Sequence, residues 1–465
     1  MKTEQLLADY LVGVTYEEIP AGVVEATKGQ ILNMICAILG GSAAGGMKEL
    51  VELLKYWGGK RESTIIGWGN KVPAPHAAQA NASMGHALDF DDTYNKVMLH
   101  PGVVTVPPAL AAAEMSDRVS GKEFITAVTL AVDMGCRMCL VMQAPTKKKE
   151  PPRWQSWHFT ALFGYFMAVV AAGRLLRLDE EQILNALGLA YHQAAGNMQG
   201  TRTAGTHSKR LGPGFSSRAG VASALMAHRG ITGAKDFIEG EVGFYRLYHP
   251  QCPCQLDRLT DGLGWQFENE DISLKPYPCG VVNHTAIDAA LAITREQDLK
   301  PGDVIQITIF TGQGSHFLCQ PLESRRHPKN AVETQFSMPW SVATAIAKRR
   351  SGIWDYTEEA ARDQAMHELT SKIKAEIDPK LTGGTIEPTR VSIKTTDGKE
   401  FTKQVDFPLG SPQKPFTKID FKRKLSECNS VSIKPMPQEK LEDLVIMMEK
   451  LEELEDVGNL INVLV

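Results

Sequence analysis

The sequence predicts a mainly α protein, a large all-helical domain joined to a smaller α+β domain. Three observations carry that prediction. Apolar residues recur at helical spacing through the first 269 residues, runs of small residues punctuate the helices, and after about Asn269 the period becomes that of a half-buried strand. A chain of 465 residues also exceeds the ~250–300 at which a single core stops growing, so two domains are expected. The boundaries predicted are a helical domain over 1–269, an α+β domain over 270–410, and C-terminal helices over 411–465 that return to the first domain.

In chain order, Val24, Ile31, Ile35, Ile38 and Leu39 line one helical face, which ends at the Gly40-Gly41-Ser42 break. The run from Phe159 to Gly173 continues the theme, and Asp179 with Gln182, ahead of Ile183, Leu184, Leu187 and Leu189, is a capping-box start. Small residues crowd Ala109 to Ala113, Ala168 to Gly173, Leu187 to Gly196 and Gly220 to Ala227, which lets helix backbones approach closely. Val304 to Thr311 then sets Ile305, Ile307 and Ile309 against Gln306 and Thr308, the alternation of a strand. Arg390 to Val405 reads as a hairpin turning at Asp397-Gly398, with Ile393 and Phe401 on its arms. Ser341 to Arg349 and Thr357 to Lys374 read as helices between the strands, and Pro437 to Val465 reads as one closing helix.

Composition narrows the function classes. Apolar content of 43%, charged content of 22% and a net charge of −4 are those of an ordinary globular protein, with no pull toward nucleic acid or a membrane surface. Met1 to Pro20 carries acids where an export signal needs a basic start, and the longest apolar run, Phe159 to Gly173, is shorter than the ~20 residues of a membrane span, so a cytoplasmic home is expected. The eight cysteines fall into neither a disulfide framework nor a zinc set. Cys136-Arg137-Met138-Cys139 sits in an apolar helical pattern and reads as buried thiols, and Cys252-Pro253-Cys254 reads as a rigid loop.

The chemistry concentrates in His86-Ala87-Leu88-Asp89-Phe90-Asp91-Asp92-Thr93, followed by His100-Pro101-Gly102. Acids at that density in an apolar neighbourhood must be solvated, paired with cations, or poised to handle protons or a metal. Four later signatures accompany it: Trp157-His158-Phe159-Thr160-Ala161; Lys209-Arg210-Leu211 with Gly220 and Glu239-Gly240; Lys275-Pro276-Tyr277-Pro278-Cys279 with His284; and Gln335-Phe336-Ser337-Met338-Pro339-Trp340. Together with Asn81 and the acidic run, and in this order from about residue 20 to 460, they make the chain resemble the MmgE/PrpD family.

The resemblance implies a helical domain bearing an α+β lid, a homodimer, and an active site between the two domains. It implies cofactor-independent chemistry on small polycarboxylates, in a family that includes 2-methylcitrate dehydratase, cis-aconitate decarboxylase and iminodisuccinate epimerase. By the family's decarboxylase pattern, Asp89, Thr93, His100, His158, Lys209 and Lys275 are the functional positions, and all six residue types are retained. The decarboxylases also use a histidine just after the lid's Lys-x-x-Pro-x run, where this chain has Gly280; the epimerase has a tyrosine near the position of His158.

Elementary chemistry agrees with these roles. A proton α to a carboxylate is weakly acidic, so its removal needs a positioned base and cations that hold the charge developing on oxygen. His100 and His158 are the acid/base candidates, Lys209 and Lys275 the anion holders, Asp89 the orienter of His100 or of a substrate hydroxyl, and Thr93 a hydrogen-bond donor. Tyr277 and His284 are further substrate-binding candidates, although Tyr277 also reads as packing beneath Lys275 and His284 as a first-turn helix residue. Trp340 reads as a core aromatic.

The expected reaction is hydration or dehydration of a di- or tricarboxylate, with decarboxylation or epimerisation as alternatives. Asp89-Phe90-Asp91-Asp92 also matches the Mg²⁺-binding runs of helical isoprenoid enzymes, but no second acidic cluster in apolar helical context accompanies it, so no metal is expected. A non-enzymatic descendant of the fold would be expected to lose its His, Lys and Asp set. Gly67-Trp68-Gly69 lacks the third glycine of a dinucleotide site. Lys147-Lys148-Lys149 reads as a solvated loop, or as an attractor of anionic substrate.

Overall fold

The computed structural model describes residues 2–142, 156–203, 206–250 and 254–465. The Lys147-Lys148-Lys149 run and Cys252-Pro253 lie outside the described residues. The protein is mainly α, with a smaller α+β part, and divides into two compact units. The first comprises Met1–Ala87, Asp91–Ile272 and Phe421–Val465; the second comprises Leu88–Phe90 and Ser273–Asp420. The changes of unit thus fall after Ile272 and Asp420 rather than after 269 and 410, and Leu88–Phe90 belongs to the second unit although sequence patterning put it in the first. The later C-terminal change has a local cause: Ser411 bridges to Lys414, and Lys414 reaches Asp288 at 3.3 Å, which keeps this stretch with the second unit.

In the first unit, helices Ala74–Gly85, Gly102–Met115, Gly121–Val141, Phe159–Leu175 and Ser208–His228 pack around an apolar core. The small-residue runs work as expected. A Cβ on Gly220 would lie 2.4 Å from Ala168 Cβ and 2.8 Å from the Tyr165 carbonyl, so Ser208–His228 and Phe159–Leu175 approach at a distance no side chain permits. Phe163, Phe166, Phe237 and Phe244 are fully buried beside them, each contributing about 1.5–3 kcal/mol of burial. The expected capping box is present, with Gln182 N donating to Asp179 Oδ1 at 2.8 Å and Asp179 N to Gln182 Oε1 at 3.1 Å. Ala21–Gly41 and Gly121–Val141 are long and apolar enough to cross a membrane by composition, a length that the sequence reading missed; in the fold their apolar windows are 78% and 100% buried, which makes them core helices.

In the second unit a four-stranded sheet runs in the order Ile373–Ile377, Val304–Thr311, Thr389–Thr395, Glu400–Val405, parallel between the first two and antiparallel thereafter. The helix His284–Glu296 lies on the hairpin, and Met338–Lys348 packs on that helix. Ile307, Ile309, Val391 and Ile393 form the buried centre, and the hairpin turns at Gly398 with a positive φ of 84°. Three sequence expectations are corrected. Ile305 is turned out to solvent by an irregularity between Val304 and Gln306. Thr357 to Lys374 is not one helix: Gln364–Ser371 is helical and Ile373–Ile377 becomes the edge strand. Pro437 to Val465 is broken into Gln438–Glu449 and Gly458–Val463.

Candidate active site

His86 ends the helix Ala74–Gly85, and Asn81 on that helix is a structural clamp: its Oδ1 accepts from Ile66 N and its Nδ2 donates to the Thr64 carbonyl, both at 3.0 Å. From Asp91 the chain enters the short strand Asp92–Tyr94 and doubles back, Tyr94 N donating to Leu99 O at 2.8 Å, before Pro101 starts the helix Gly102–Met115. This reversal sets His100 beside the strand it follows. His100 Nδ1 lies 2.6 Å from the Asp92 carbonyl, which can only accept, so Nδ1 carries the proton and the lone pair of the neutral ring sits on Nε2. Thr93 Oγ1 lies 3.3 Å from the same nitrogen. The His100 amide donates to Thr160 Oγ1 at 3.0 Å, in the first turn of the helix whose N-cap is His158.

Three imidazoles therefore gather. The His86 ring centre lies 5.3 Å from that of His100 and 5.7 Å from that of His158. Asp91, with no exposed surface, takes the Nδ1 hydrogen of His86 at 2.6 Å and lies 3.9 Å from Nδ1 of His100. Asp92 is used differently: both its oxygens accept from the Gly102 amide, at 3.0 and 3.1 Å, placing negative charge on the helix start. A Cβ on Gly102 would lie 2.8 Å from Asp92 Oδ2, so a side chain there would push the carboxylate off the amide it caps.

His158, partly exposed, lines a cavity of about 450 Å³ together with Tyr165, Asn197, Ser208, Lys209 and Phe215. Burial of its ring, and then the charges of His86, His100 and Lys209, hold His158 well below the usual imidazole value of 6.5, against the opposing pull of Asp91. It is a neutral ring at neutral pH, facing a cavity that also holds a lysine.

In the second unit Asp89 has a positive φ of 55°, a conformation sparsely populated outside glycine and most tolerated by Asn and Asp. Lys275, 1% exposed, donates to both Oδ1 and the carbonyl of Asp89, at 3.1 and 3.2 Å. Gln335 holds the same segment, its Nε2 donating to Leu88 O at 2.9 Å and Pro278 O at 3.2 Å. Tyr277 donates its hydroxyl to Asp288 Oδ1 at 2.6 Å and meets His284 edge-on, ring centres 5.4 Å apart. His284 is the first residue of His284–Glu296 and is buried there. Trp340 is a core residue, its indole donating to the Asp355 carbonyl at 3.0 Å. A second hollow, of about 830 Å³, lies beside Trp340 and Trp354, but two of its cations are already matched, Arg350 by Asp355 at 2.8 Å and Lys348 by Asp363 at 3.6 Å, and it holds no histidine.

Known families match along both units. The MmgE/PrpD N-terminal domain matches residues 5–256 and the MmgE/PrpD C-terminal domain residues 277–450. The chain belongs to the MmgE/PrpD family. Among its relatives, cis-aconitate decarboxylase of Mus musculus is 24% identical over 98% of this chain and 92% of its own length, and that of Homo sapiens 25% identical over 95% and 90%. The 2-methylcitrate dehydratase of Cupriavidus necator is 28% identical over 52% of this chain and 51% of its own. These relatives are lyases, which supports an enzyme of that class.

Within this MmgE/PrpD protein the structure sorts the expected residues. Thr93, His100 and His158 come together in the first unit, with Lys209 beside His158 at the cavity. Asp89 joins Lys275, and Tyr277 joins His284, in the second. A carboxylate that received no role from sequence, Asp91, lies 3.9 Å from Nδ1 of His100, while Asp89, expected to orient His100 or a substrate hydroxyl, pairs with Lys275. His86, Asp91 and Gln335 stand in the recognised motifs but received no role from sequence; the apolar context of the acidic run was the signal that one of its acids would be buried against an imidazole. Asp91 bonds to His86, Asp92 accepts from the Gly102 amide and Asp89 from Lys275, and among the described residues no three His, Cys, Asp or Glu side chains are grouped as a metal ion requires. Cys136 and Cys139 are buried thiols whose ionisation burial pushes well above the usual range.

Proposed function

We propose that the protein is a cofactor-independent dehydratase of a small β-hydroxy di- or tricarboxylate, of the 2-methylcitrate kind. The observation that carries this reading is the neutral His158 facing a cavity shared with Lys209, beside a second imidazole, His100, that has a buried carboxylate 3.9 Å from its Nδ1. One ring is suited to take a proton and the other to give one.

In this reading His158 removes the proton α to a substrate carboxylate, and the electron pair of the broken C–H bond moves onto the carboxylate oxygens. Lys209, which shares the cavity with His158, holds that charge, and the family resemblance gives Lys275 the same task. The pair then returns to form C=C as the β C–O bond breaks, and His100, entering as the imidazolium, protonates the departing hydroxyl, which leaves as water. His158 loses its proton and His100 regains one before the next turnover, so atoms and charge balance without a further reagent. Thr93 fixes the His100 ring.

Decarboxylation is the second reading, favoured by relatives of that name that match nearly the whole chain. Against it stands Gly280, where the family's decarboxylases use histidine; a Cβ there would meet Phe336 at 3.3 Å and Leu318 at 3.6 Å, an apolar pair. Proton NMR of the purified protein in D₂O with 2-methylcitrate, citrate, cis-aconitate and iminodisuccinate separates the readings. An alkene retaining every carboxylate, with exchange of the α proton, is expected; a product short of one carboxylate would replace dehydration by decarboxylation, and exchange without an alkene would indicate epimerisation.

A further inference from the structure

The buried acid of the histidine cluster has two claimants. Asp91 Oδ2 is bonded to His86 Nδ1 at 2.6 Å and stands 3.9 Å from His100 Nδ1, while the His86 and His100 rings are 5.3 Å apart. His86 and Asp91 expose 1% and 0% of their surfaces, so water does not screen what passes between them. Other charged or titratable groups near the cluster include Asp92, which accepts from the Gly102 amide, His158, which is held neutral, and Lys209 in the first turn of Ser208–His228, whose charge acts on His158.

We propose that Asp91 and His86 are positioning residues for His100: one buried carboxylate is shared between two imidazoles, and the charge on His86 governs how firmly His100 keeps the proton it delivers. This rests on the acid role given to His100 above. The physics is that of coupled sites. With His86 neutral, the full charge of Asp91 supports an imidazolium at His100; with His86 charged, Asp91 is neutralised and a like charge is added, so His100 gives up its proton more readily. The Nδ1–H bond to the Asp92 carbonyl persists in either state, so the ring keeps its orientation while its proton affinity changes.

Two variants separate this from a packing role because they must act in opposite directions. Asp91→Asn removes the anion, and the ¹⁵N-detected titration of His100 in the substrate-free protein should fall by about 1–3 pH units. His86→Asn keeps a side-chain N–H for Asp91 but removes the competing imidazole, and the same titration should rise. The basic limb of the kcat/KM–pH profile should move with each. Opposite displacements support the proposal; displacements in one direction, or none in His86→Asn, overturn it. Should Asp91→Asn fail to fold, the direction found in His86→Asn decides alone. The titration uses no substrate, so opposite shifts in a protein inert toward the whole panel would sink the proposed reaction and leave the shared carboxylate standing, whereas turnover with unmoved titrations would sink the sharing alone.

Discussion

Asp91 and Asp133 are both fully buried in the helical unit, and they are satisfied in different ways. Asp133 is bonded to Arg137 Nε at 2.7 Å, Tyr10 OH at 2.9 Å and the Glu268 amide at 2.9 Å, a complete set anchored by a guanidinium that does not titrate. Arg137 itself also donates to the carbonyls of Asp261 and Gln266 at 2.5 and 2.6 Å, so the network ties Gly121–Val141 to the chain that follows Thr260. Asp91 has imidazoles instead, side chains able to take up and release a proton. A buried carboxylate with a permanent cation holds structure together; one with titratable neighbours holds a proton inventory. The difference teaches where chemistry lies more surely than burial does, since both acids are equally hidden.

The comparison breaks most visibly at Arg137 and His158. Arg137→Leu leaves Asp133 buried without its cation and should lower unfolding stability by about 3–5 kcal/mol, read by urea denaturation, while turnover per folded molecule stays near that of the parent. His158→Gln should do the reverse: kcat falls by about 10²–10⁴-fold with the unfolding midpoint little moved. If Arg137→Leu lost turnover out of proportion to folding, or His158→Gln kept it, the division between structural and chemical acids would be wrong.

Lys275 sharpens the same contrast, because its bond to Asp89 combines both kinds of pairing. Lys275→Met should abolish turnover and also lower stability by about 3–5 kcal/mol, because Asp89 is left buried and charged. Adding Asp89→Asn should restore most of the stability and none of the turnover. Recovery of activity in the double variant would make Lys275 a fold residue and remove it from the carboxylate-binding set.

The pH dependence of stability gives a smaller effect with a fixed sign. The native His158 ring titrates well below 6.5, its value when exposed, so between the two the unfolded chain binds the extra proton. Stability from this group is therefore complete above 6.5 and declines as the pH falls below it, by at most about 1.4 kcal/mol per unit for a single proton. His158→Gln should flatten that slope in denaturation curves taken from neutral to acid pH; an unchanged slope would mean that the ring is not held neutral.

How much of this was legible in the sequence depends on how local each cause is. The Asp179–Gln182 box and the Asp397-Gly398 turn are set by a few neighbouring residues and were readable outright. His100, His158 and Lys209 were readable because the order of motifs resembles a family, and the structure places them near one another. The place of Asp91 beside His100 was not readable. In an extended chain residues two apart share a face, and only the left-handed backbone at Asp89 sends the two carboxylates to different partners. The strand Ile373–Ile377 was missed because it is an edge: Lys374 and Glu376 break its apolar pattern, and what makes it a strand is the distant register with Ile307 to Thr311.

Tyr277 provides the finest test of that division. Sequence placed it among the substrate contacts, but its hydroxyl is given to Asp288, whose other oxygen takes the Leu409 amide at 2.8 Å and Lys414 at 3.3 Å. Such a bond holds the turn before His284–Glu296 to the segment after the hairpin, which is a structural task. Tyr277→Phe should therefore lower stability by about 1 kcal/mol, since Asp288 keeps two donors, and leave kcat/KM within about twofold of the parent. A fall of tenfold or more in kcat/KM with stability unchanged would return Tyr277 to the substrate, because a bond made for structure acts on catalysis through the fold.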